Sequence, residues 1–425
     1  MTDSLIAWPD KARADAFANW LQANSATHGL LPDSVHAASA DASFRRYFRV
    51  QTQGGASCII MDAPPAQEDC QPFVKIAGLM ASAGLNAPHV LAWDQAQGFM
   101  LLSDLGAQTM LDVIEQQTDA AKPQQAYALY RQAVDALITW QLASRPDVLP
   151  PYDDALLSRE LALFPDWYVA RHRGIPIDSA LRSKLDGLFA QIKASNLQSL
   201  GGARVYVHRD FMPRNLMVSG PMEVANERTP SLPAGAAEPA SPGRRRSAPE
   251  GLEPAAPNLL EQVWTGARSE ASGEQRPARP RAVHAVTSVG ASSLGVLDFQ
   301  DAVYGPITYD IASLMRDAFI SWPEDFVLEI TVRYWEQARQ AGLPVGDDFG
   351  EFFRAVEWMG LQRHLKILGI FARLTLRDGK PKYLADTPRF ITYARATCAR
   401  YRQLGPLMVL LDEIECNETR VGYTF

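Results

Sequence analysis

The sequence contains few cysteines, and their positions exclude two kinds of structure. Cys58, Cys70, Cys398 and Cys416 form no C-x-x-C pair, and no histidine stands near them at ligand spacing. This pattern is neither a disulfide framework nor a zinc site, and it is typical of a reducing compartment. Long apolar runs are also missing, and the start MTDSLIAWPDKARADAF lacks the features of a signal peptide. We therefore expect a cytoplasmic protein without a membrane span.

Excess positive charge is missing as well. The 425 residues carry a formal net charge of −7 at pH 7, which argues against general binding to nucleic acid or to an anionic membrane. A locally basic, phosphate-binding cleft is still compatible with this charge. Hydrophobic residues make up 47% of the chain, enough for a sizeable core, and the length predicts two or three domain-sized units. No protein partner can be inferred from the composition.

The first hundred residues change from helical to strand-like periodicity. Residues 5–24 have the apolar spacing of an amphipathic helix, and a second helix is expected over residues 68–82. Short β-type runs, broken by turn residues, read SVHAASAD, RRYFRVQT, SCIIMDA, PHVLAWD and GFMLLSDLG. Together they predict a small β-rich lobe over residues 1–105.

Helical spacing dominates the rest of the chain. It covers residues 107–117, 124–144, 153–173, 178–195, 324–341, 347–377 and 388–411. This predicts a larger helical lobe over residues 106–425, and the expected fold class is α+β with two unequal lobes.

One segment, residues 221–293, fits neither lobe. It has no Phe, Tyr, Ile or Lys and is rich in Pro, Ala, Gly, Ser, Glu and Arg. Such a composition cannot bury enough apolar surface to offset the entropy lost on ordering, so we expect a disordered insertion. The alternative is that its basic run, Gly243 to Arg246, recruits a partner.

The stretch VYVHRDFMPRNLMV places a compact polar loop between two strand-like runs. His208, Asp210 and Asn215 in it form the pattern H-x-D-x-x-x-x-N. In protein kinases such a loop holds an Asp near the attacking hydroxyl, and the Asn five residues later binds magnesium. A second metal-binding Asp should then follow the paired strand, and LGVLDFQDAVY supplies Asp298. The alternative is that both acids are helix caps or turn residues.

Taken together, these motifs resemble the aminoglycoside phosphotransferase and choline kinase-like family, which has a two-lobe protein-kinase-like fold. Further similar stretches are ASFRRYFRV, MDAPPAQED, GFMLLSDLG, FPDWYVARHRG and VLDFQDAVYGPITYDIASL, which look most like bacterial anomeric amino-sugar kinases. The resemblance implies ATP-dependent phosphorylation of the C1 hydroxyl of N-acetylmuramate and N-acetylglucosamine in cell-wall recycling. The alternatives are a kinase for an aminoglycoside or choline-type compound and a nucleotide-binding pseudokinase.

The resemblance also implies roles for individual residues. Asp210 matches the catalytic base, Asn215 and Asp298 match the Mg²⁺ ligands, and His208 and Asp310 match residues that support the catalytic loop. Leu102, Ser103 and Asp104 match the hinge that binds the adenine of ATP.

Two departures from the family concern the phosphates of ATP. The loop DASFRR contains no glycine, so Ser43, Phe44, Arg45 and Arg46 are the expected ATP contacts there. Met61 stands where a strand lysine is usual, so Arg45, Arg46 or Lys75 would have to supply that charge. The alternative is that Arg45 and Arg46 are a solvated strand face.

The sugar site is less explicit in the sequence. Acids and aromatics concentrate in ELALFPDWY, so Asp166 and Trp167, together with Arg171 just beyond this stretch, are the candidate sugar-binding residues. The alternative is that this aromatic stripe belongs to the core of the helical lobe.

Overall fold

The computed structural model describes residue 6 and residues 8–40, 44–118, 122–218 and 294–415. The β-rich lobe is an antiparallel five-stranded sheet in the order β1-β2-β3-β5-β4. Its strands are β1 His36–Ala40, β2 Arg46–Gln51, β3 Ser57–Asp62, β4 Val90–Asp94 and β5 Phe99–Ser103, and its helices are α1 Lys11–His28 and α2 Gln71–Ser82. The predicted strands are confirmed, and α1 begins six residues later than predicted.

Side-chain alternation in β2 decides which of its residues face the helical lobe. Phe48 and Val50 are buried with Phe17 and Trp20 of α1 in a small hydrophobic core. Because successive strand residues point to opposite faces, the neighbours of these two residues project from the other side of the sheet. That side faces the helical lobe.

The second lobe is mostly helical, as predicted. Its helices are α3 Met110–Glu115, α4 Lys122–Leu142, α5 Asp154–Leu163, α6 Ser179–Gln198, α7 Thr308–Met315, α8 Glu324–Gln340, α9 Phe349–Leu376, α10 Thr387–Arg400 and α11 Gly405–Glu415. A large hydrophobic core forms where α9 packs against α5, α6, α10 and α11. No helix in the described part of the chain is long and apolar enough to cross a bilayer.

Two helix predictions were wrong in detail. Residues 153–173 form α5 followed by a π-helical turn, Phe164–His172, rather than one α-helix. Residues 388–411 form two helices, separated by a short turn at Arg402–Leu404. Pro406 explains this second break, because a proline has no N–H to continue a helix and its ring clashes with the preceding turn.

Two short ladders frame the polar loop around Asp210. β6 Arg204–Val207 pairs with β9 Val303–Pro306, and β7 Leu216–Val218 pairs with β8 Leu294–Val296. In the second ladder Val218 lies opposite Leu294, which confirms that the apolar runs on either side of the insertion face each other. The insertion itself, residues 221–293, lies outside the described residues.

Candidate active site

The catalytic-loop candidate holds a strained backbone. Arg209, between β6 and β7, has φ 79°, a left-handed conformation that is uncommon for a residue with a side chain. The carboxylate of Asp310, in the first turn of α7, accepts hydrogen bonds from the N–H groups of His208 (2.7 Å) and Arg209 (3.0 Å). Strain of this kind persists only where the surroundings over-determine it, and it concentrates at functional sites.

Burial shifts the pKa values of His208 and Asp310, the two residues expected to support the loop. His208 is fully enclosed, and burial lowers the pKa of its imidazole, so the ring is neutral at pH 7. Burial likewise raises the pKa of Asp310. The Nδ1 of His208 lies 3.3 Å from the backbone nitrogen of Asp210 and accepts its N–H. A neutral ring is what this contact requires, because a protonated Nδ1 has no lone pair to accept with.

Asn215 and Asp298 come together across the β7–β8 ladder. The side-chain amide of Asn215 donates to the backbone carbonyl of Asp210 at 2.9 Å and to Oδ2 of Asp298 at 3.3 Å. Gln300 donates to Oδ1 of Asp298 at 2.9 Å. Asp298 also has a left-handed backbone, with φ 62°. The fold therefore brings close together Asp210, Asn215 and Asp298, which are up to 88 positions apart in the sequence.

The donor set at this point suits magnesium. It offers the carboxylate of Asp298 and the amide oxygen of Asn215, both hard oxygen donors. Mg²⁺ usually takes one or two such protein ligands and completes its octahedron with substrate phosphates and water. Accordingly, no cluster of three or more His, Cys, Asp or Glu ligands is found among the described residues, and none is needed for this kind of site.

A buried ionic cluster connects the catalytic-loop candidate to α5 and α9. Glu160 of α5 accepts hydrogen bonds from Tyr152 (2.6 Å), Arg209 (2.6 Å), Gln362 (3.0 Å) and Lys366 (2.8 Å). Burial alone would raise the pKa of Glu160, but the positive charges of Lys366 and Arg209 outweigh it and lower the pKa well below its usual range. Glu160 is therefore an anion that links α5, α9 and the catalytic loop.

A cavity of about 360 Å³ adjoins these groups. Its lining includes the hinge residues Leu102, Ser103 and Asp104, together with Asn215 and Asp298. The apolar side chains of Ile59, Phe73, Leu105, Met217 and Leu297 complete much of its wall. A concave space with apolar walls and several convergent polar groups is the usual form of a small-molecule site.

An arginine absent from the predicted site fixes the hinge end of this cavity. Arg49 of β2 makes two hydrogen bonds to the carboxylate of Asp104, at 2.5 and 3.0 Å, and a third to the carbonyl of Gly106 at 2.7 Å. Burial would raise the pKa of Asp104, but the hydrogen bonds from Arg49 and Ser57 outweigh it and lower the pKa. The alternation of β2 was the signal: with Phe48 and Val50 in the core, Tyr47 and Arg49 must face the cleft, and both line the cavity.

Comparison with known proteins identifies the family. The profile of the Phosphotransferase enzyme family matches residues 34–225 and 286–346. The chain belongs to this family. Curated relatives include proteins named N-acetylmuramate/N-acetylglucosamine kinase from Pseudomonas aeruginosa (42% identical, 90% of this chain and 89% of the relative) and Pseudomonas putida (39%, 97% and 96%). A protein of the same name from Neisseria meningitidis is 39% identical over 96% of this chain and 98% of its own.

Solved structures confirm the protein-kinase-like fold of this phosphotransferase. An ethanolamine kinase of Plasmodium vivax superposes with a TM-score of 0.52 at 9% identity, covering 95% of this chain and 94% of its own. An amicoumacin kinase in complex with AMP-PNP, Ca²⁺ and Ami gives 0.51 at 14% identity, with 89% and 93% covered. At such low identity these likenesses establish the fold alone.

Two of the residues expected to contact the phosphates of ATP form ion pairs with acidic side chains. Ser43 lies outside the described residues, and Phe44 is 63% exposed. Arg45 forms an ion pair with Glu68 at 3.0 Å, and Arg46 with the buried Asp62. Neither Phe44, Arg45 nor Arg46 lines the cavity between the lobes. Their role as ATP contacts therefore stays a prediction.

The candidate replacements for the strand lysine also have other contacts. Met61 is fully buried in β3. Lys75 of α2 donates to the backbone carbonyl of Val148 in the helical lobe at 2.6 Å. Two arginines line the cavity instead, Arg49 and Arg214. The signal for Arg214 was in the catalytic motif itself, because it directly precedes Asn215.

The candidate sugar residues lie on the π-helical turn. The guanidinium of Arg171 stacks 4.0 Å from the ring centre of Trp167, which packs against the helical core. Asp166 forms a 3.6 Å ion pair with Arg182 of α6. Among the described residues, Asp166, Trp167 and Arg171 make no hydrogen bond or ion pair with the catalytic loop. Their part in sugar binding stays a prediction.

Proposed function

We propose that this phosphotransferase is a cytoplasmic, ATP-dependent kinase that phosphorylates the C1 hydroxyl of N-acetylmuramate and N-acetylglucosamine, in the recycling of cell-wall sugars. The observation that carries the proposal is the agreement of relatives. Three proteins at 39–42% identity, covering at least 89% of both chains, have the same name, N-acetylmuramate/N-acetylglucosamine kinase. The site supports it, since Asp210, Asn215 and Asp298 meet beside a cavity of suitable size.

Asp210 is the proposed catalytic base. Its carboxylate orients the sugar hydroxyl and accepts its proton as the bond to phosphorus forms. An anomeric hydroxyl is more acidic than an ordinary alcohol, so a carboxylate is a sufficient base. Phosphoryl transfer depends mainly on positioning and charge neutralisation, so no covalent intermediate on the protein is needed.

ATP is proposed to lie in the cavity, with its adenine along Leu102 to Asp104 and its phosphates towards Asn215 and Asp298. These two residues would hold Mg²⁺. When bound, the ion neutralises charge on the phosphate oxygens. The protein's own contribution is to fix the two oxygen ligands, which the Asn215–Asp298 contact and the bond from Gln300 accomplish.

The proposal is tested with a panel of acceptors followed by phosphorus NMR. N-acetylmuramate, N-acetylglucosamine, choline and an aminoglycoside are each incubated with the protein, ATP and Mg²⁺. We expect sugar phosphate resonances with the two amino sugars. Turnover of choline or the aminoglycoside alone would contradict the proposal in favour of another small-molecule kinase. ATP binding without turnover of any acceptor would indicate a pseudokinase.

A further inference from the structure

The two arginines that line the cavity differ in whether an acidic side chain pairs with them. Arg49 is matched by the carboxylate of Asp104, which it contacts with two nitrogens. Arg214 is exposed, and no acidic side chain pairs with it in the part of the chain that the structure describes. Its recorded contact is with an aromatic ring, since its guanidinium lies 4.7 Å from the ring centre of Phe319. Arg214 therefore presents a positive charge that is available to a ligand.

The ring beneath Arg214 is firmly held. Phe319 belongs to the segment between α7 and α8, and it is half-buried against the helical core. Arg389 of α10 donates to the carbonyl of Ala318 at 3.1 Å, and the hydroxyl of Tyr393 donates to Oγ of Ser321 at 2.6 Å. The segment is thus tied to α10 on both sides of the ring, which gives Arg214 a fixed support on the helical-lobe side of the site.

The in-line geometry of phosphoryl transfer places the sugar on the helical-lobe side of the site. In phosphoryl transfer the attacking and leaving oxygens lie roughly in line on opposite sides of the phosphorus. With ATP along the hinge, the acceptor must lie beyond Asp210 and the Asn215–Asp298 pair. Arg214 follows Asp210 by four residues and directly precedes Asn215, and its guanidinium lies against Phe319 of the helical lobe. Its charge therefore borders the acceptor position.

The two proposed substrates differ in charge. N-acetylmuramate carries a lactyl carboxylate on C3, and N-acetylglucosamine has a neutral hydroxyl there. A buried cation would favour only the acid, because leaving a buried charge unpaired is costly. An exposed arginine resting on an aromatic face stays hydrated when the carboxylate is missing. Such a residue is suited to a site that accepts both sugars.

We propose that Arg214, supported by Phe319, binds the carboxylate of N-acetylmuramate and sets the preference for this sugar over N-acetylglucosamine. The inference rests on the proposed function. It assigns Arg214 to acceptor recognition and not to the phosphates of ATP.

The test compares kcat/KM for the two sugars in the wild type, Arg214→Met and Arg214→Lys. We expect Arg214→Met to lower the ratio of N-acetylmuramate to N-acetylglucosamine on the order of tenfold, mainly through KM for N-acetylmuramate, since a charge-assisted contact is lost. Arg214→Lys should give an intermediate ratio, because lysine keeps the charge but not the planar fork. The ratio in the wild type should fall as salt is raised, and in Arg214→Met it should not.

Arg339→Met is the matched control. Arg339 is also an exposed arginine that stacks on an aromatic ring, that of Trp335 in α8, and its replacement should leave both sugars unaffected. An unchanged ratio in Arg214→Met would overturn the inference. So would equal losses for both sugars together with a loss of ATP affinity relative to ADP, which would assign Arg214 to the phosphates. A wild-type protein that turns over neither sugar removes the proposed function and this inference together.

Discussion

At the scale of single residues, Asp210 is the proposed catalytic base. Replacing it with Asn keeps the shape of the side chain and removes the proton acceptor. We expect kcat to fall at least about a hundredfold, the lower range for loss of a general base. Nucleotide affinity should change little, because the proposed role of Asp210 is towards the acceptor and not towards ATP. Steady-state kinetics and calorimetric titration with ATP measure the two quantities.

Asp301→Asn is the control for this change. Asp301 is an exposed acid three residues after Asp298, so its replacement alters the local charge equally without touching the proposed chemistry. An Asp210→Asn protein as active as this control would show that Asp210 is not the base.

Which residues form the candidate site was predictable where a motif fixes the distance between them along the chain, and less predictable elsewhere. The H-x-D-x-x-x-x-N pattern predicted Asp210 and Asn215 as site residues, the end of the following apolar run predicted Asp298, and the structure brings the three together. Arg49 was missed because its contacts depend on the strand face that it occupies, and Arg214 was missed because the motif assigns no role to the residue before Asn215. Arg49 reaches the hinge only because β2 buries its alternate residues. Arg45, Arg46 and Lys75 were considered as substitutes for the missing strand lysine, and the structure engages all three in other contacts.

At the scale of secondary-structure elements, the Glu160 cluster joins α5, α9 and the catalytic loop. Glu160→Gln would leave Arg209 and Lys366 without their shared anion in a buried position. Removing one partner of a buried ion pair typically costs about 3–5 kcal/mol, so we expect a loss of unfolding free energy on the order of 3 kcal/mol. Urea denaturation at pH 7 measures it.

Glu336→Gln on the exposed face of α8 is the comparison for this variant. It should change the free energy of unfolding by less than about 0.5 kcal/mol, as for most surface substitutions. Similar stabilities for the two variants would mean that the cluster adds nothing to the packing of α5 against α9.

Elements were predictable to the extent that local periodicity determines them. The five strands and most helices followed from apolar spacing. The break between α10 and α11 was missed because the apolar period continues across Pro406, although the proline prevents a continuous helix. The π-helical turn after α5 was missed for a different reason. Its apolar residues Phe164 and Tyr168 keep a helical spacing of four, which the sequence does not distinguish from an α-helix.

At the scale of the whole molecule, the match to the family is interrupted within the insertion. The family match stops at residue 225 and resumes at residue 286, and the flanking strands β7 and β8 are directly paired. We expect that deleting residues 223–291 leaves sugar kinase activity unchanged. Shortening the connection to six residues should raise the unfolding free energy by up to about 2 kcal/mol, since each halving of a flexible loop is worth about 0.6 kcal/mol.

Thermal unfolding and kinetics of the deletion protein, beside the full chain, make this measurement. A deletion protein that aggregates or unfolds at a much lower temperature would show that residues 223–291 contribute to the folded lobe.

The most direct test of the whole account is the position of the new phosphate. The protein is incubated with ATP, Mg²⁺ and either the methyl glycoside of N-acetylglucosamine, in which C1 is blocked, or its 6-deoxy analogue, and the products are followed by phosphorus NMR. We predict that the 6-deoxy sugar is converted to a 1-phosphate and that the methyl glycoside is never phosphorylated. Phosphorylation of the methyl glycoside would contradict transfer to the anomeric hydroxyl.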